Sequence, residues 1–549
     1  MARLRKREKR VAPAALFCFC LFSPFVVLVA GAVQAREAVT AKEFMVAAAH
    51  PLAAQAGVEV LERGGSAVDA AVAVQMVLGL VEPQSSGLGG GAFLLHWSQR
   101  ERKLRSYDGR ESAPAAARPD RFLENGKPME FFDAAVGARS VGVPGVLRML
   151  ELAHRRHGRL PWGELFGPAI AAAEQGFEAS PRLQAALEQE RFLRDPLYFD
   201  EQGKPRSRIV NADYAATLRL IAREGADAFY RGAIAADIVR AVRSHAKPGD
   251  LTAEDLAGYR ALEREPACAP YRRWRICSMG PPSSGGVAVL QVLGILERTA
   301  FARAPPHSAA ALHLFAEAGR LAFADRARYL GDPDFVAVPV RKLLDGSYLS
   351  KRAALIGERS MGEAPAGDTE ASGTSHFSIV ARDGSVAAMT TTIESAFGSR
   401  VLVRGFLLNN QLTDFDFVPG SVNEVGPRKR PRSSMAPTIV FGKEGTPRLA
   451  IGSPGGPMII NYVARTLVAR LDWALGLQAA IEAPNFGSRN GPLVLERGSR
   501  YQGLREELEA RGHKVELVPL RSGLHGIERI PGGWRGGADP RRDGAAMGR

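Results

Sequence analysis

The sequence predicts an α+β fold in which β-sheets carry α-helices on their outer faces. Two observations indicate this class. Ala-rich segments with helical periodicity dominate the first half of the chain, and β-prone runs gather between residues 374 and 441. Because helices and strands each have an apolar side to bury, the two kinds of element stack in layers.

The helical segments come first along the chain. Residues 50–80 have an Ala-rich apolar periodicity that Gly64 and Gly65 interrupt, so we expect two helices there. Residues 146–193 and 213–246 have a similar periodicity, and a further helix is predicted over residues 461–475.

The strands follow a Gly/Ala/Ser/acidic stretch at residues 361–373, which we expect to be accessible and mobile. Two β-prone runs, 377–381 and 386–392, are joined by the letters RDGS, and Asp-Gly is a strong hairpin signal. Residues 400–408 and 436–441 predict further strands. The alternation of elements predicts mixed sheets with helices outside them.

Composition limits the class of protein. Of the 549 residues, 46% are hydrophobic and 24% charged, as in a folded globular protein and unlike a disordered one. The length alone suggests three or four domains, although one large enzyme that splits into interlocked fragments is also compatible with it.

The first 35 residues have the layout of a secretory signal peptide. Six basic residues and one acidic residue crowd positions 1–10, an uncharged apolar stretch follows to Val33, and small residues precede Arg36. We expect cleavage after Ala35 and a periplasmic or secreted protein. The alternative is an uncleaved membrane anchor, since 23 uncharged residues can span a bilayer.

Without that segment the net charge falls from +14 to +9. The densest remaining basic run, residues 428–432, lacks the interleaved aromatic residues typical of nucleic-acid binding, so we expect a solvated loop and no nucleic-acid partner. A loose GxGxxA pattern at residues 87–92 follows a helix and precedes a strand, the reverse of a dinucleotide site. No cofactor is therefore expected, and the glycines are expected to pack beneath the active site.

Cys268 and Cys277 are the two cysteines outside the leader, and they flank a predicted hairpin. A disulfide in an oxidising compartment and two buried thiols are both compatible with this placement. The ten histidines show no zinc-ligand spacing, so no metal is expected.

The chemistry centres on Thr374, within the letters SGTSHF at residues 372–377. Taken alone, this is an ordinary turn before a strand. If the Gly373–Thr374 bond is cut, however, the freed α-amine, with an ordinary pKa of about 7.7–8.0, lies beside its own hydroxyl and can act as its base.

Three later motifs suit such a nucleophile. The letters IGSPGGP at residues 451–457 can offer backbone N–H groups to an oxyanion. The letters NNQLTDF at 409–415 and RSSMAPT at 432–438 supply a carboxylate, amides and hydroxyls for an amino-acid head. In their order along the chain, these motifs and Thr374 closely resemble the small subunit of the γ-glutamyltransferase (glutathione hydrolase) family.

Motifs of the large subunit of the same family extend the resemblance over roughly residues 40–545. They are found at residues 55–58, 64–71, 81–91, 108–111, 141–145, 281–286 and 324–333. The resemblance implies the four-layer αββα sandwich of the N-terminal-nucleophile hydrolases. It also implies a self-cleaved precursor, with a signal peptide at 1–35, a large subunit at 36–373 and a small subunit at 374–549 that begins with the catalytic Thr374.

The resemblance also implies a role for each matching residue. Thr392 would bond the hydroxyl of Thr374, and Gly455 and Gly456 would donate N–H groups to the oxyanion. The remaining predicted residues would hold the substrate: Arg110, Ser433 and Ser434 its α-carboxylate, and Asp414, with Gln411 and Glu394, its α-ammonium group.

The implied activity is hydrolysis of the γ-glutamyl amide of glutathione and related compounds through a Thr acyl-enzyme, or transfer of the γ-glutamyl group to an amino acid or peptide. Two alternatives stay open: a related amidase of the glutaryl or cephalosporin acylase kind, and a noncatalytic relative that acts as a binding protein.

The chain departs from the family pattern at two places. Glu394 stands where relatives commonly carry Asn, which predicts a more acidic pocket. The segment from Phe415 to Arg432 is shorter than in relatives with a lid loop, which predicts a pocket open to bulkier substrates.

Overall fold

The computed structural model describes residues 37–362 and 373–549. The predicted leader, 1–35, and most of the predicted mobile segment, 361–373, lie outside the described residues. Within the described ranges, no helix is long and apolar enough to cross a membrane.

Two seven-stranded β-sheets form the centre of the molecule. In spatial order, sheet 1 consists of Val39–Ala41, Gly533–Ala538, His525–Ile530, Pro447–Gly452, Thr438–Phe441, Trp274–Ser278 and Ala267–Tyr271. Sheet 2 consists of Ala545–Gly548, Met45–Ala48, Gly373–Val380, Val386–Glu394, Gly91–Ser98, Lys103–Gly109 and Leu262–Arg264.

Neighbouring strands are antiparallel throughout both sheets. The expectation of mixed sheets is therefore wrong for these two. Consecutive strands such as Gly373–Val380 and Val386–Glu394 are joined by short turns, and a short turn can connect only antiparallel strands. A parallel pair does occur in a smaller three-stranded sheet, between Leu493–Glu496 and Val515–Val518.

An apolar layer lies between the two sheets. Met45, Trp97 and Val386 of sheet 2 pack there with Ile439 and Phe441 of sheet 1. The rings of Trp97 and Phe441 meet edge-on, with centroids 5.2 Å apart. Because side chains alternate along a strand, the residues between these positions face outwards, where the helices lie.

Helices cover the outer face of each sheet. Ala67–Val81, whose fifteen residues are all buried, packs with its neighbours on sheet 2. Gly285–Glu297 and Ile459–Leu471 pack on sheet 1, and Ala309–Tyr329 packs against Gly285–Glu297. The resulting order of helices, sheet, sheet and helices is the predicted four-layer αββα sandwich.

The described α-helices match most of the predicted helical segments. They are Pro51–Glu62, Ala67–Val81, Phe131–Ala135, Val146–His157, Gly167–Gln175, Pro181–Gln189, Ala212–Glu224, Asp227–Tyr230, Gly232–Arg243, Ala253–Gly258, Gly285–Glu297, Ala309–Tyr329, Val340–Leu343, Gly346–Ala353, Ile459–Leu471, Leu477–Glu482 and Arg505–Ala510. The predicted break at Gly64 and Gly65 is confirmed.

The long segments 146–193 and 213–246 are each divided into separate helices. Gly176, Gly225 and Gly232 adopt positive φ angles at three of the breaks, a backbone conformation that no helix continues through. The apolar periodicity of the sequence continues across these positions, because the spacing of apolar residues does not show which backbone angles the glycines adopt.

The predicted hairpin around residues 382–385 is confirmed, and its strands run further than expected, over Gly373–Val380 and Val386–Glu394. The prediction of a single strand over residues 400–408 is wrong. The segment contains two strands of two residues each, Leu402–Val403 and Phe406–Leu407, because Arg404 and Gly405 form a turn with φ angles of 45° and 81°.

Cys268 and Cys277 face each other across the hairpin at the edge of sheet 1 and form a disulfide. The structure therefore decides between the two alternatives that the sequence left open for these cysteines. Their Cα atoms are 4.1 Å apart, a separation set by direct pairing in the antiparallel ladder.

Candidate active site

Thr374 lies one residue into the strand Gly373–Val380, opposite Thr392 on the next strand of sheet 2. Its hydroxyl donates to the Thr392 hydroxyl at 3.4 Å, and the Thr392 hydroxyl donates to the Gly373 carbonyl at 2.7 Å. The backbone N–H of Glu394 donates to the same Thr392 oxygen at 2.7 Å. Thr392 therefore contacts both the predicted nucleophile and the carbonyl of the predicted cleavage bond.

The pairing of strands shifts by a bulge between Gly373 and Thr374. A bulge re-aims a side chain relative to its partner strand. Thr374 is only 3% exposed, and its side chain lies at a pocket instead of in the apolar layer between the sheets. The pocket is where nearly all the predicted site residues meet.

Nine of the ten predicted catalytic and substrate-binding residues line this pocket. Its lining consists of Arg110, Arg326, Thr374, Thr392, Glu394, Gln411, Asp414, Ser433, Ser434, Met435, Gly456, Pro457 and Ile459. From the first to the last, these residues span more than 300 positions of the chain, and the two sheets and their loops bring them to one place.

Arg110, which is buried, and Asp414, which is partly exposed, form an ion pair on one wall of the pocket. Backbone carbonyls fix the guanidinium group, since its Nε donates to Pro431 at 3.1 Å and its Nη2 to Arg432 at 3.2 Å. Gln411 donates from Nε2 to the Asp414 carboxylate at 2.7 Å. The wall thus presents one cation and one anion side by side, which matches the two charges of an amino-acid head.

Ser433 and Ser434 lie beside a second guanidinium group. The Ser434 hydroxyl accepts a hydrogen bond from Arg326 Nη2 at 3.0 Å, and the Ser433 hydroxyl accepts one from the backbone N–H of Met435 at 3.1 Å. Arg326 was not among the predicted site residues, although it stands in the motif at residues 324–333. The only sequence signal was that motif, which does not show that the helix Ala309–Tyr329 points this residue at the pocket.

Glu394 lines the pocket as the last residue of its strand, with a positive φ of 80°. Such an angle is uncommon outside glycine and turns the side chain out of the regular strand direction. Asn410, which the sequence reasoning also did not single out, donates from Nδ2 to the Glu394 carboxylate and to the Thr413 hydroxyl. Glu394 and Asp414 both reach the pocket, so it contains two carboxylates.

Gly455 and Gly456 connect the strand Pro447–Gly452 to the helix Ile459–Leu471. Their φ angles are 133° and 53°, and a Cβ atom on Gly455 would lie 2.5 Å from the ring of Tyr462. Glycine is therefore required at this turn.

Gly456 lines the pocket, whereas Gly455 precedes it and is outside the lining. In residues 37–362 and 373–549, neither backbone N–H has a protein acceptor. The helix that follows begins at Ile459, in the pocket wall, and its amino-terminal end carries partial positive charge. This end of the pocket can therefore accommodate an oxygen that becomes negative during a reaction.

The glycine-rich run at residues 87–91 packs against the back of the site, as predicted. Gly91 pairs with Thr392, and a Cβ atom on Gly90 would lie 2.0 Å from the Thr392 carbonyl oxygen. The run therefore lets another backbone approach the Thr392 strand closely.

Buried charges lie beneath Thr374. Arg542 donates from Nη1 to the Thr374 carbonyl at 2.9 Å, and burial lowers the pKa of Arg542 to about 9. Glu82 accepts from the Ser375 hydroxyl and pairs with Arg182. Burial alone would raise the pKa of Glu82, but the two guanidinium groups and the Ser375 hydroxyl together hold it below its usual value.

A separate buried cluster contains His313, Glu317 and His513, whose potential ligand atoms lie within 4.8 Å of one another. Sequence spacing did not indicate it, since His313 and His513 are 200 residues apart. The two imidazoles bond each other at 2.8 Å, and Glu317 accepts from Arg320 at 2.9 Å. His513 Nδ1 has no hydrogen-bond partner within the described ranges, and the adjacent guanidinium group of Arg320 opposes a cation there.

The basic run at residues 428–432 is not the solvated loop that we expected. Lys429, Arg430 and Arg432 are each at least 92% buried. Arg430 pairs with Asp108, and Arg432 pairs with Asp416. The run supports the wall that holds Arg110, because its carbonyls accept the hydrogen bonds of that residue.

Comparison with known proteins gives concordant matches. The sequence pattern of the family described as Gamma-glutamyltranspeptidase matches residues 53–549. A glutathione hydrolase proenzyme of Bacillus subtilis (strain 168) is 38% identical over 540 residues, which cover 92% of each chain. An acylase of Pseudomonas sp. (strain SE83), named ACY 1 proenzyme, is 37% identical over 515 residues, covering 90% of this chain and 91% of the relative.

Solved structures agree on the architecture. The crystal structure of a cephalosporin acylase from Bacillus halodurans superposes with a TM-score of 0.85 at 29% identity, covering 96% of this chain and 99% of that one. The agreement over nearly the whole chain confirms the predicted fold class.

Proposed function

Because this chain belongs to the gamma-glutamyltranspeptidase family, we propose that it is a self-processing γ-glutamyl hydrolase and transferase in which Thr374 forms the acyl-enzyme. The observation that carries the proposal is the position of Thr374. It stands beside a hydroxyl that bonds the preceding carbonyl, in the same pocket as the Arg110–Asp414 pair.

The first step is cleavage of the precursor. The Thr374 hydroxyl attacks the Gly373 carbonyl carbon, and an ester forms between Gly373 and the Thr374 side chain. The C–N bond breaks as the hydroxyl proton passes to the Thr374 nitrogen, which leaves as the α-amine. Thr392, which donates to the Gly373 carbonyl, stabilises the negative charge that develops on that oxygen. Water then hydrolyses the ester and leaves fragments 36–373 and 374–549 as a heterodimer.

The second step is attack on a γ-glutamyl amide. The free α-amine of Thr374 takes the proton of its hydroxyl, and the oxygen attacks the γ-carbonyl carbon. The N–H groups of Gly455 and Gly456 stabilise the oxyanion, with the helix that starts at Ile459 behind them. The amine leaves with the proton, and water or an amino acid or peptide then accepts the acyl group.

The pocket wall binds the glutamyl head. The α-carboxylate of the substrate binds to the Arg110 guanidinium group and to the hydroxyls of Ser433 and Ser434. The α-ammonium group binds to Asp414, Gln411 and Glu394. The existing Arg110–Asp414 contact opens to admit both charges.

The compartment proposed for this enzyme is the periplasm or the exterior. Support comes from the signal-like leader at 1–35 and from the Cys268–Cys277 disulfide, a bond that persists in oxidising compartments. An uncleaved leader would instead leave the enzyme anchored to the membrane.

The test combines sequencing and assay. Purified active protein should contain two fragments, the lighter beginning at Thr374, and it should hydrolyse a γ-glutamyl anilide. Thr374→Ala should give one uncut, inactive chain. A lighter fragment with another first residue, or an active uncut Thr374→Ala variant, would refute the proposal.

A second candidate is an amidase for glutaryl-type acyl groups, which the likeness to the Bacillus halodurans cephalosporin acylase and the Pseudomonas acylase favours. A glutaryl group has no α-ammonium, so it would leave Asp414 and Glu394 unused. Faster turnover of a glutaryl anilide than of a γ-glutamyl anilide would select this candidate. A protein that neither processes itself nor cleaves either anilide would be a noncatalytic relative that acts as a binding protein.

A further inference from the structure

Glu111 is a buried carboxyl group directly behind the pocket. It follows Arg110 at the end of the strand Lys103–Gly109 and is 0% exposed. The strand Gly91–Ser98 closes over it, since a Cβ atom on Gly91 would lie 2.3 Å from Glu111 Oε2. Within the described ranges, neither side-chain oxygen of Glu111 has a hydrogen-bond partner.

The nearest cation is Arg110, whose Nη1 lies 3.7 Å from Glu111 Oε2, beyond hydrogen-bonding distance. Arg110 directs its other terminal nitrogen, Nη2, to Asp414 and the Arg432 carbonyl. Arg110 thus lies between two carboxyl groups, one in the pocket wall and one behind it.

The surroundings of Glu111 favour its protonated form. Burial raises the pKa of Glu111 to about 8. Arg110 and the nearby backbone N–H of Glu111 itself offset only part of this, and Asp414 and Asp108 raise the pKa further. The hydroxyls of Tyr230 and Tyr259 also face Glu111, and burial raises their pKa values above the ordinary value. The Glu111 carboxyl group can therefore gain or lose a proton near neutral pH.

We propose that Glu111 is a positioning residue whose proton keeps Arg110 available to the substrate carboxylate, so that substrate binding weakens when this proton is lost in alkaline solution. The inference rests on the proposed function, in which Arg110 holds the α-carboxylate. Neutral Glu111 leaves Arg110 with one charged partner, Asp414. Ionised Glu111 would compete for the guanidinium and repel the incoming carboxylate.

The direction of the pH effect follows from linkage. Substrate carboxylate and ionised Glu111 repel each other, so binding raises the pKa of Glu111 and takes up a proton at pH values near 8. One pH unit above that pKa, the KM of the wild-type enzyme should have risen about tenfold for this reason alone. Because Glu111 does not contact the reacting atoms, kcat should not share the effect.

The experiment measures KM and kcat for a γ-glutamyl anilide between about pH 7 and about pH 9 in wild type, Glu111→Gln and Glu111→Asp. The substrate ammonium group and the Thr374 amine also titrate in this range, but equally in all three proteins. The expected result is a wild-type KM that rises about tenfold more than that of Glu111→Gln, with the rise restored in Glu111→Asp. Glu151→Gln, at a buried Glu paired with Arg148, is the control and should keep the wild-type profile.

The possible failures are distinguishable. A wild-type protein without γ-glutamyl hydrolase activity removes the proposed function and this inference together. An active wild type whose KM profile is unchanged in Glu111→Gln overturns the inference alone. If the variants do not fold, infrared difference spectra of the wild-type enzyme test the proposal. The proposal requires that a protonated-carboxyl band is lost between about pH 7 and about pH 9. A spectrum without that loss overturns the proposal.

Discussion

Replacing Thr392 with Val tests how the precursor cleaves itself. Val has nearly the shape of Thr, so the change removes one hydroxyl and little volume. That hydroxyl accepts from the Glu394 N–H at 2.7 Å, donates to the Gly373 carbonyl at 2.7 Å and contacts the Thr374 hydroxyl at 3.4 Å.

The effect on rate can be estimated from the donor that is lost. Removing one hydrogen bond to a developing oxyanion costs about 2.7–4 kcal/mol, which is about a 100- to 1,000-fold loss of rate. The Glu394 N–H also loses its acceptor, at a cost of about 1–3 kcal/mol in folding stability. A large domain tolerates that cost, so we expect folded Thr392→Val precursor that cleaves about 100- to 1,000-fold more slowly than wild type.

The assay follows freshly made precursor by gel electrophoresis as it converts into two fragments. Thr391→Val is the matched control, because the Thr391 hydroxyl is equally buried on the same strand but donates to the Gly91 carbonyl at 3.3 Å. It should cleave at close to the wild-type rate, and Thr392→Ser should retain most of the rate. Wild-type cleavage in Thr392→Val, or equal slowing in Thr391→Val, would refute the role of this hydroxyl.

Three further predictions concern binding and stability. Arg110→Lys should raise KM for γ-glutamyl substrates by about tenfold or more while the precursor still cleaves, because an ammonium cannot make two parallel bonds to a carboxylate; steady-state kinetics showing an unchanged KM would remove Arg110 from the site. Replacing both Cys268 and Cys277 with Ser should lower the free energy of unfolding by up to about 2.7 kcal/mol, the chain-entropy value for so short a loop. The change should leave kcat intact, since the disulfide lies at the edge of the sheet. Denaturant titration measures the first effect and an activity assay the second. Glu82→Gln should destabilise the protein by about 3–5 kcal/mol at neutral pH by leaving Arg182 without its partner carboxylate. Because the folded pKa of Glu82 is lowered, wild type loses this advantage as the pH falls below about 4, so melting temperatures of the two proteins should converge in acid and stay apart above it.

Local patterns of the sequence were enough for the elements whose causes are local. The helix break at Gly64 and Gly65 and the hairpin at residues 382–385 depend on backbone angles and turns formed by adjacent residues. The strand over 400–408 was mistaken because one turn, at Arg404 and Gly405, interrupts an otherwise β-prone run.

The order of the motifs pointed to Thr374 and to nearly the whole pocket, since nine of the ten predicted residues line it. Their convergence, however, depends on the register of two sheets, which adjacent residues do not encode. For that reason Arg326, Asn410 and Arg542 became visible as neighbours of the site only in the folded chain.

The sequence by itself determined which residue is the predicted nucleophile and which groups accompany it, because each motif is a short run with its own chemistry. Only the tertiary structure decided what surrounds those groups. The run at 428–432, which we expected to be solvated, is mostly buried and paired, and it supports Arg110. Glu111 is buried too, and it has no hydrogen-bond partner in the described part of the chain. Solvation and charge depend on what packs nearby, and packing joins residues that lie hundreds of positions apart.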